Sequence, residues 1–297
     1  MRNALTFLLS VLLVLGLTGC GGGETAQIAA TTMPVACFTR MLCENTDLQV
    51  AQVVTEEVSC LHDYTLTVSQ MRLVEGAEML VISGAGLEEF MEEALHAASV
   101  VVDASQSVPL LESDGHHHHE EEGDDHHHSH AHEHDPHIWL SPANAAIMAK
   151  NIHAALCARY PEYRDTFDGN LAVLLAEIEA VDRYAREQLG DLSTREIIPF
   201  HDGFSYLAEA YDLHILQAIE EESGAEISAR ELIELITLVE HHGVTALFIE
   251  ENGSGAAASV ISRETGIPVY TLSMAMSGES WFEAMYRNID TLKEALS

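Results

Sequence analysis

Residues 161–190 read PEYRDTFDGNLAVLLAEIEAVDRYAREQLG, and this stretch divides the chain. Phe167, Leu171, Leu174, Leu175, Ile178 and Val181 recur at the three-and-four spacing of one helical face, among charged and polar residues. Proline at one end and glycine at the other bound it as one long connecting helix. On either side, short apolar or β-branched runs alternate with helical patterns. The first half offers strands at 27–32, 48–54, 78–83 and 99–102, with helices at 34–44, 67–76 and 87–98. The second offers strands at 196–200, 213–219, 244–249 and 267–272, with helices at 203–211, 228–242, 256–265 and 279–296. Such alternation predicts parallel strands covered by helices on both faces. The expected fold is α/β, with two lobes, each a mostly parallel sheet flanked by helices, joined by a long rigid helix. The expected divisions are a first lobe at 27–160, the helix at 161–190 and a second lobe at 191–297.

The N-terminus predicts a compartment. Arg2 precedes an apolar run from Leu5 to Leu17, too short for a stable membrane span and suited to a signal peptide. Leu17-Thr18-Gly19-Cys20 then forms a bacterial lipobox, with 1–19 removed and Cys20 acylated; 20–26 reads as a tether. The expected location is the extracytoplasmic face of the cell membrane, held by lipid. A formal charge of −35 argues against nucleic acid or an anionic membrane surface as partner and suits cations. Cys37, Cys43, Cys60 and Cys157 are even in number but fit no zinc-ribbon spacing. Disulfides, buried thiols and a Cys60 thiolate ligand all stay open.

Residues 115–142, GHHHHEEEGDDHHHSHAHEHDPHIWLSP, carry the chemistry. Neutral imidazoles interleaved with carboxylates attract divalent ions of the zinc type. His116, His117, His118, His119, His126, His127, His128, His130, His132 and His134 lie in an acidic, almost non-apolar loop at 112–135, where binding is expected to be multiple and weak. Three other histidines fall just past strand ends, where open parallel sheets build ligand sites: His62 after the second strand, His137 after the fourth, His201 after the first of the second half. Two come from one lobe and one from the other, so a single ion between the lobes could gather all three. His96, His153, His214, His241 and His242 fall on helical or strand patterns and read as structural or surface residues.

These pieces resemble the solute-binding lipoproteins of bacterial zinc and manganese ABC importers, the cluster A-I family. The matching segments are the lipobox, His62-Asp63-Tyr64 with the following helix, the acidic histidine loop, and Asp135-Pro136-His137-Ile138-Trp139-Leu140-Ser141-Pro142. His201-Asp202-Gly203-Phe204-Ser205-Tyr206-Leu207 and Phe248-Ile249-Glu250 extend the match into the second half. The resemblance implies capture of one metal in an interlobe cleft by His62, His137 and His201, and delivery to an ABC permease with its ATPase. The family often adds a carboxylate from the loop after the last strand. Here that loop is Ser273-Met274-Ala275-Met276-Ser277-Gly278, leaving water, Glu222 or Glu251 as the fourth ligand. Three nitrogen ligands favour zinc over manganese.

Other classes fit parts of this pattern. A sequestering or adhesive lipoprotein would share the lipobox and the metal. A zinc hydrolase would also use three histidines and an open position, with Glu250 or Glu251 as base. Against it, the chain has no HExxH helix, GxSxG elbow or glycine-rich phosphate loop, so the expectation is a binding protein and not an enzyme.

Overall fold

A computed structural model describes residues 26–56, 61, 64–112, 134–219, 227–251, 255–278 and 280–297. In the first half, β1 (Ile28–Ala30), β2 (Val50–Gln52), β3 (Met79–Ile82) and β4 (Val101–Asp103) run parallel in the order β2-β1-β3-β4. Ile28 lies opposite Val50 on one side and Met79 on the other, and Leu80 lies opposite Val101. The two central strands are apolar and buried throughout, as strands covered on both faces must be. Helices α1 (Met33–Leu42), α2 (Val68–Gly76) and α3 (Glu92–Ala97) make the crossovers. Thr67 starts α2 with a reciprocal capping box to Gln70.

The sequence reads 87–98 as one helix, but the chain takes a tighter 3-10 turn at Leu87–Met91 before α3. The cause is Glu88. Its buried carboxylate turns back to accept the amides of Ser83 at 2.7 Å and Gly84 at 2.9 Å and the Thr31 hydroxyl at 2.6 Å. Satisfying those three donors outweighs continuing the helix. Gly84 is required there: its φ is +82°, and a Cβ would lie 1.9 Å from Asp103 Oδ1.

The chain then forms α4 (Pro142–Arg159) and α5 (Arg164–Gln188), separated by a 3-10 turn at Pro161–Tyr163. The connecting helix is α5, burying Phe167, Leu174, Ile178, Val181 and Ala185. Periodicity does not delimit α4, because apolar residues such as Ala146, Ile147 and Ala155 lie off the buried face formed by Ala145, Met148, Ala149, Ile152 and Leu156.

The second half repeats the first. β5 (Glu196–Ile197) pairs in parallel with β6 (His214–Ile215), and β7 (Leu247–Glu250) with β8 (Val269–Leu272). A parallel bridge between Pro199 and Phe248 joins the pairs in the order β6-β5-β7-β8, the same pattern as the first sheet. Pro199 shortens the strand expected at 196–200, since proline cannot donate to a ladder. Ile198 and Phe200 still bond Phe248, at 3.2 and 2.8 Å. Helices α6 (Ser205–Tyr211), α7 (Ala229–His242) and α8 (Ala256–Thr265) cover this sheet.

The final helix, α9 (Trp281–Leu296), returns to pack on α5 and α1. Trp281 meets Phe38 edge-on with ring centroids 5.3 Å apart, and its Nε1 donates to the Trp139 carbonyl at 2.9 Å. The larger apolar core therefore runs from the first sheet through α5 into the second half. A smaller one, around Ile198, Phe200, Leu235 and Ile261, belongs to the second half alone.

Candidate metal centre

Chain direction brings the two describable site histidines together. After β4 the backbone reaches Glu112, which bridges His134 in antiparallel fashion, and the Asp135 amide donates to the Leu111 carbonyl at 3.1 Å. Residues 113–133 between these anchors lie outside the described residues, and with them every loop histidine except half-buried His134. Tyr206, from α6 of the second half, clamps both anchors: its hydroxyl accepts the Leu111 amide at 3.0 Å and donates to the Asp135 carbonyl at 2.9 Å. Burial pushes the Tyr206 phenol up to about 12, so it stays neutral and able to donate.

His137 follows immediately and is 2% exposed. Its Nδ1 lies 2.8 Å from Asp135 Oδ1, which also accepts the His137 amide at 2.8 Å. Burial alone would push the Asp135 carboxyl up, but the hydrogen bonds and charge of His137 outweigh it and hold the group below its usual range. Trp139 packs edge-on against the imidazole, 5.4 Å between centroids, and its Nε1 donates to the Met274 carbonyl at 2.8 Å. That indole ties the first-lobe segment to the loop after β8.

His201 ends the strand run of β5 and is 4% exposed. Its Nδ1 lies 3.2 Å from Oε1 of Glu250, the buried last residue of β7. The two imidazoles stand at 87° with centroids 5.3 Å apart. Gly203 makes room for them. A Cβ there would meet Met274 Cε at 2.5 Å, His201 Cδ2 at 2.8 Å and His137 Cε1 at 3.0 Å.

Each ring thus has Nδ1 directed at a buried carboxylate, and Nε2 is the ligand atom it would offer. This carboxylate–histidine pairing orients and enriches imidazoles that bind metal, and the two residues present suit a zinc-type ion. The outer role of Glu250 was not foreseen from sequence, where it figured only as part of the resemblance and as a base for a hydrolase; the bare run Phe248-Ile249-Glu250 does not announce its partner. Neighbouring Glu251 turns elsewhere, to an ion pair with Arg287 at 2.9 Å. His62 and Glu222 lie outside the described residues, as do Cys20 and Cys60. Leu61 and Tyr64, which flank His62 and Asp63, are described: Leu61 is buried, and the Tyr64 amide donates to its carbonyl at 3.0 Å. In the loop after β8, which carries no acid from Ser273 to Gly278, Met274 lies beside Gly203 and the histidine pair.

The family described as zinc-uptake complex component A, periplasmic, or ZnuA, matches residues 28–295. The chain belongs to the ZnuA family. A protein of Treponema pallidum (strain Nichols), named only provisionally as metal-binding, is 31% identical over 245 residues, covering 80% of this chain and 77% of its own. The zinc-binding lipoprotein AdcA of Streptococcus pneumoniae serotype 4 is 28% identical across 98% of this chain, which spans 60% of that longer protein. Among solved structures, ZnuA superposes with a TM-score of 0.76 at 27% identity, covering 92% of this chain and all of that one. The Zn(II)-bound ZnuA-like domain of Streptococcus pneumoniae AdcA gives 0.75 at 26% identity over 92% and 99% of the two chains. A Mn2+-bound solute-binding protein of Pseudomonas aeruginosa gives 0.77 at 20% identity, a likeness of fold alone. The ZnuA-family fold is thus an α/β pair of parallel sheets with a long helix between them, as the strand–helix alternation predicts.

Proposed function

We propose that this ZnuA-family chain captures a divalent metal, zinc before manganese, between its two lobes and delivers it to an ABC permease driven by its ATPase. One observation carries this reading. Two buried histidines from opposite halves of the chain meet edge to face, each with Nδ1 on its own buried carboxylate. His62 completes a set of three nitrogen ligands, with water in the fourth position; nitrogen donors favour zinc. The names of the AdcA relatives support the choice of metal.

The lipobox at Cys20 would hold the protein at the outer face of the cytoplasmic membrane, and AdcA is likewise named a lipoprotein. Among the described residues no helix is long and apolar enough to cross a membrane. Capture between stiff lobes gives preorganised ligands, so binding should far exceed that of a flexible histidine peptide. Calorimetry on the purified mature chain tests this. One zinc should bind tightly, and His62→Ala, His137→Ala and His201→Ala should each weaken that step by orders of magnitude. Tight binding unchanged in all three variants would place the site elsewhere.

A further inference from the structure

The corner between α4 and α5 gathers ligand atoms that the cleft does not use. His153 and Cys157 stand one turn apart on α4, and Asp168 faces them from the beginning of α5. His153 Nε2 lies 2.8 Å from Asp168 Oδ1 and 3.4 Å from Cys157 Sγ. All three ligand atoms fall within 4.8 Å of one another. We propose that His153, Cys157 and Asp168 form a second metal site for a divalent ion of the zinc class, with water in the remaining position.

The donor set is the first argument. One imidazole nitrogen, one sulfur and one carboxylate oxygen are all zinc ligands, and sulfur disfavours magnesium, calcium and manganese. Geometry is the second. Around a tetrahedral zinc, nitrogen and sulfur lie about 3.5 Å apart, and nitrogen and oxygen about 3.3 Å. The His153–Cys157 spacing already fits, and the His153–Asp168 pair needs an opening of roughly half an ångström. Rigidity is the third. An i, i+4 pair on a helix holds two ligands on one face without further ordering cost, and α4 and α5 pack closely along their length.

The surroundings suit an exchangeable ion. Cys157 is a free, buried thiol, while the Asp168 side chain is 56% exposed, giving a route from solvent. Burial pushes the Cys157 thiol up; Arg164, whose Nη2 reaches the Cys157 carbonyl at 3.3 Å, works in the opposite direction by favouring the thiolate. A bound cation would displace the thiol proton outright. This site is remote from the cleft: at 1.5 Å per residue, His153 stands about 16 Å along α4 from Pro142, near which His137 lies. An ion here would clip the last helix of the first lobe to the connecting helix.

The test is a cadmium titration of the reduced mature chain, read by the ultraviolet thiolate-to-metal charge-transfer band, which histidine and carboxylate ligands do not produce. Once the cleft histidines are filled, parent and Cys60→Ser should develop this band with about one further equivalent, and Cys157→Ser should lose it. Asp168→Asn, a change at an exposed position that leaves the fold intact, should need roughly tenfold more cadmium or beyond, at least the loss an outer-shell partner causes. Absence of the band in the parent, its survival in Cys157→Ser, its loss in Cys60→Ser, or an unchanged titration in Asp168→Asn would each overturn the proposal and leave His153 and Asp168 as a plain interhelical hydrogen bond.

Discussion

Asp135 and Glu250 would act on a bound metal at one remove. A carboxylate on Nδ1 selects the tautomer that presents Nε2, fixes the ring plane and raises the basicity of the ligating nitrogen. Asp135→Asn and Glu250→Gln keep volume and lose that charge. Each should lower zinc affinity roughly 10–100-fold with little change in unfolding midpoint, measured by competition with a chelator. pH separates the imidazoles from the carboxylate. Affinity should fall from about pH 7 to pH 5 as protons compete with the metal for imidazole nitrogen. Asp135, held below its usual carboxylate range, stays ionised across that window, so the fall belongs to protons competing at the imidazoles and not to this carboxylate. Equal affinity in parent and both variants would remove the carboxylates from the site's chemistry. The meeting of His137 and His201 was legible in sequence because both follow strand ends; His62 lies outside the described residues and its part is a proposal. Glu250 was legible only as part of the resemblance; its partnership with His201 depends on β7 lying beside the run that follows β5.

At the scale of elements, the turn after β3 is built around one buried acid. Burial raises the Glu88 carboxyl to about 7, against the hydrogen bonds from Thr31, Ser83 and Gly84 that lower it. The unfolded chain releases this proton near 4.5, so between 4.5 and about 7 the folded state holds more protons. Stability from this group is complete below the unfolded value and declines as pH rises through the folded one, by a few kcal/mol at most. Glu88→Gln removes that dependence. Its amide N–H2 also confronts a backbone N–H where a carboxylate oxygen accepted one, which costs about 1–3 kcal/mol. Urea midpoints taken from pH 4.5 to 7.5 should show the variant less stable, with the gap to the parent narrowing as pH rises. Parallel curves would mean that folding does not raise the Glu88 pKa.

At the scale of the molecule, the histidine loop and the cleft are joined but separable. Glu112 and His134 pair at the loop's base, and Tyr206 pins both anchors to α6, so the ends of 113–133 meet without help from the segment between. Replacing 113–133 by a short turn therefore carries little closure cost. It should abolish the additional weak zinc binding expected of these histidines and leave the tightest step nearly unchanged, because so acidic and apolar-poor a sequence would pay entropy for each ion it gathers. Loss of the tight step in a calorimetric titration would make the loop a source of primary ligands.

Sequence alone determined the α/β class, the place of the long connecting helix and the two-fold repetition of the strand pattern, and it singled out the histidines proposed as ligands. Those properties are local: periodicity records which face of a segment is buried, and strand ends mark where an open sheet collects ligands. Tertiary structure alone decided which buried groups touch. Trp281 reaches the Trp139 carbonyl across 142 residues of sequence, and Trp139 reaches Met274 across 135, fusing the halves into one main core that no periodicity encodes. The trio of His153, Cys157 and Asp168 has the same origin. Spacing puts the first two on one helical face, but only the packing of α5 on α4 brings the third donor within reach, since contact between helices depends on how two chain directions cross.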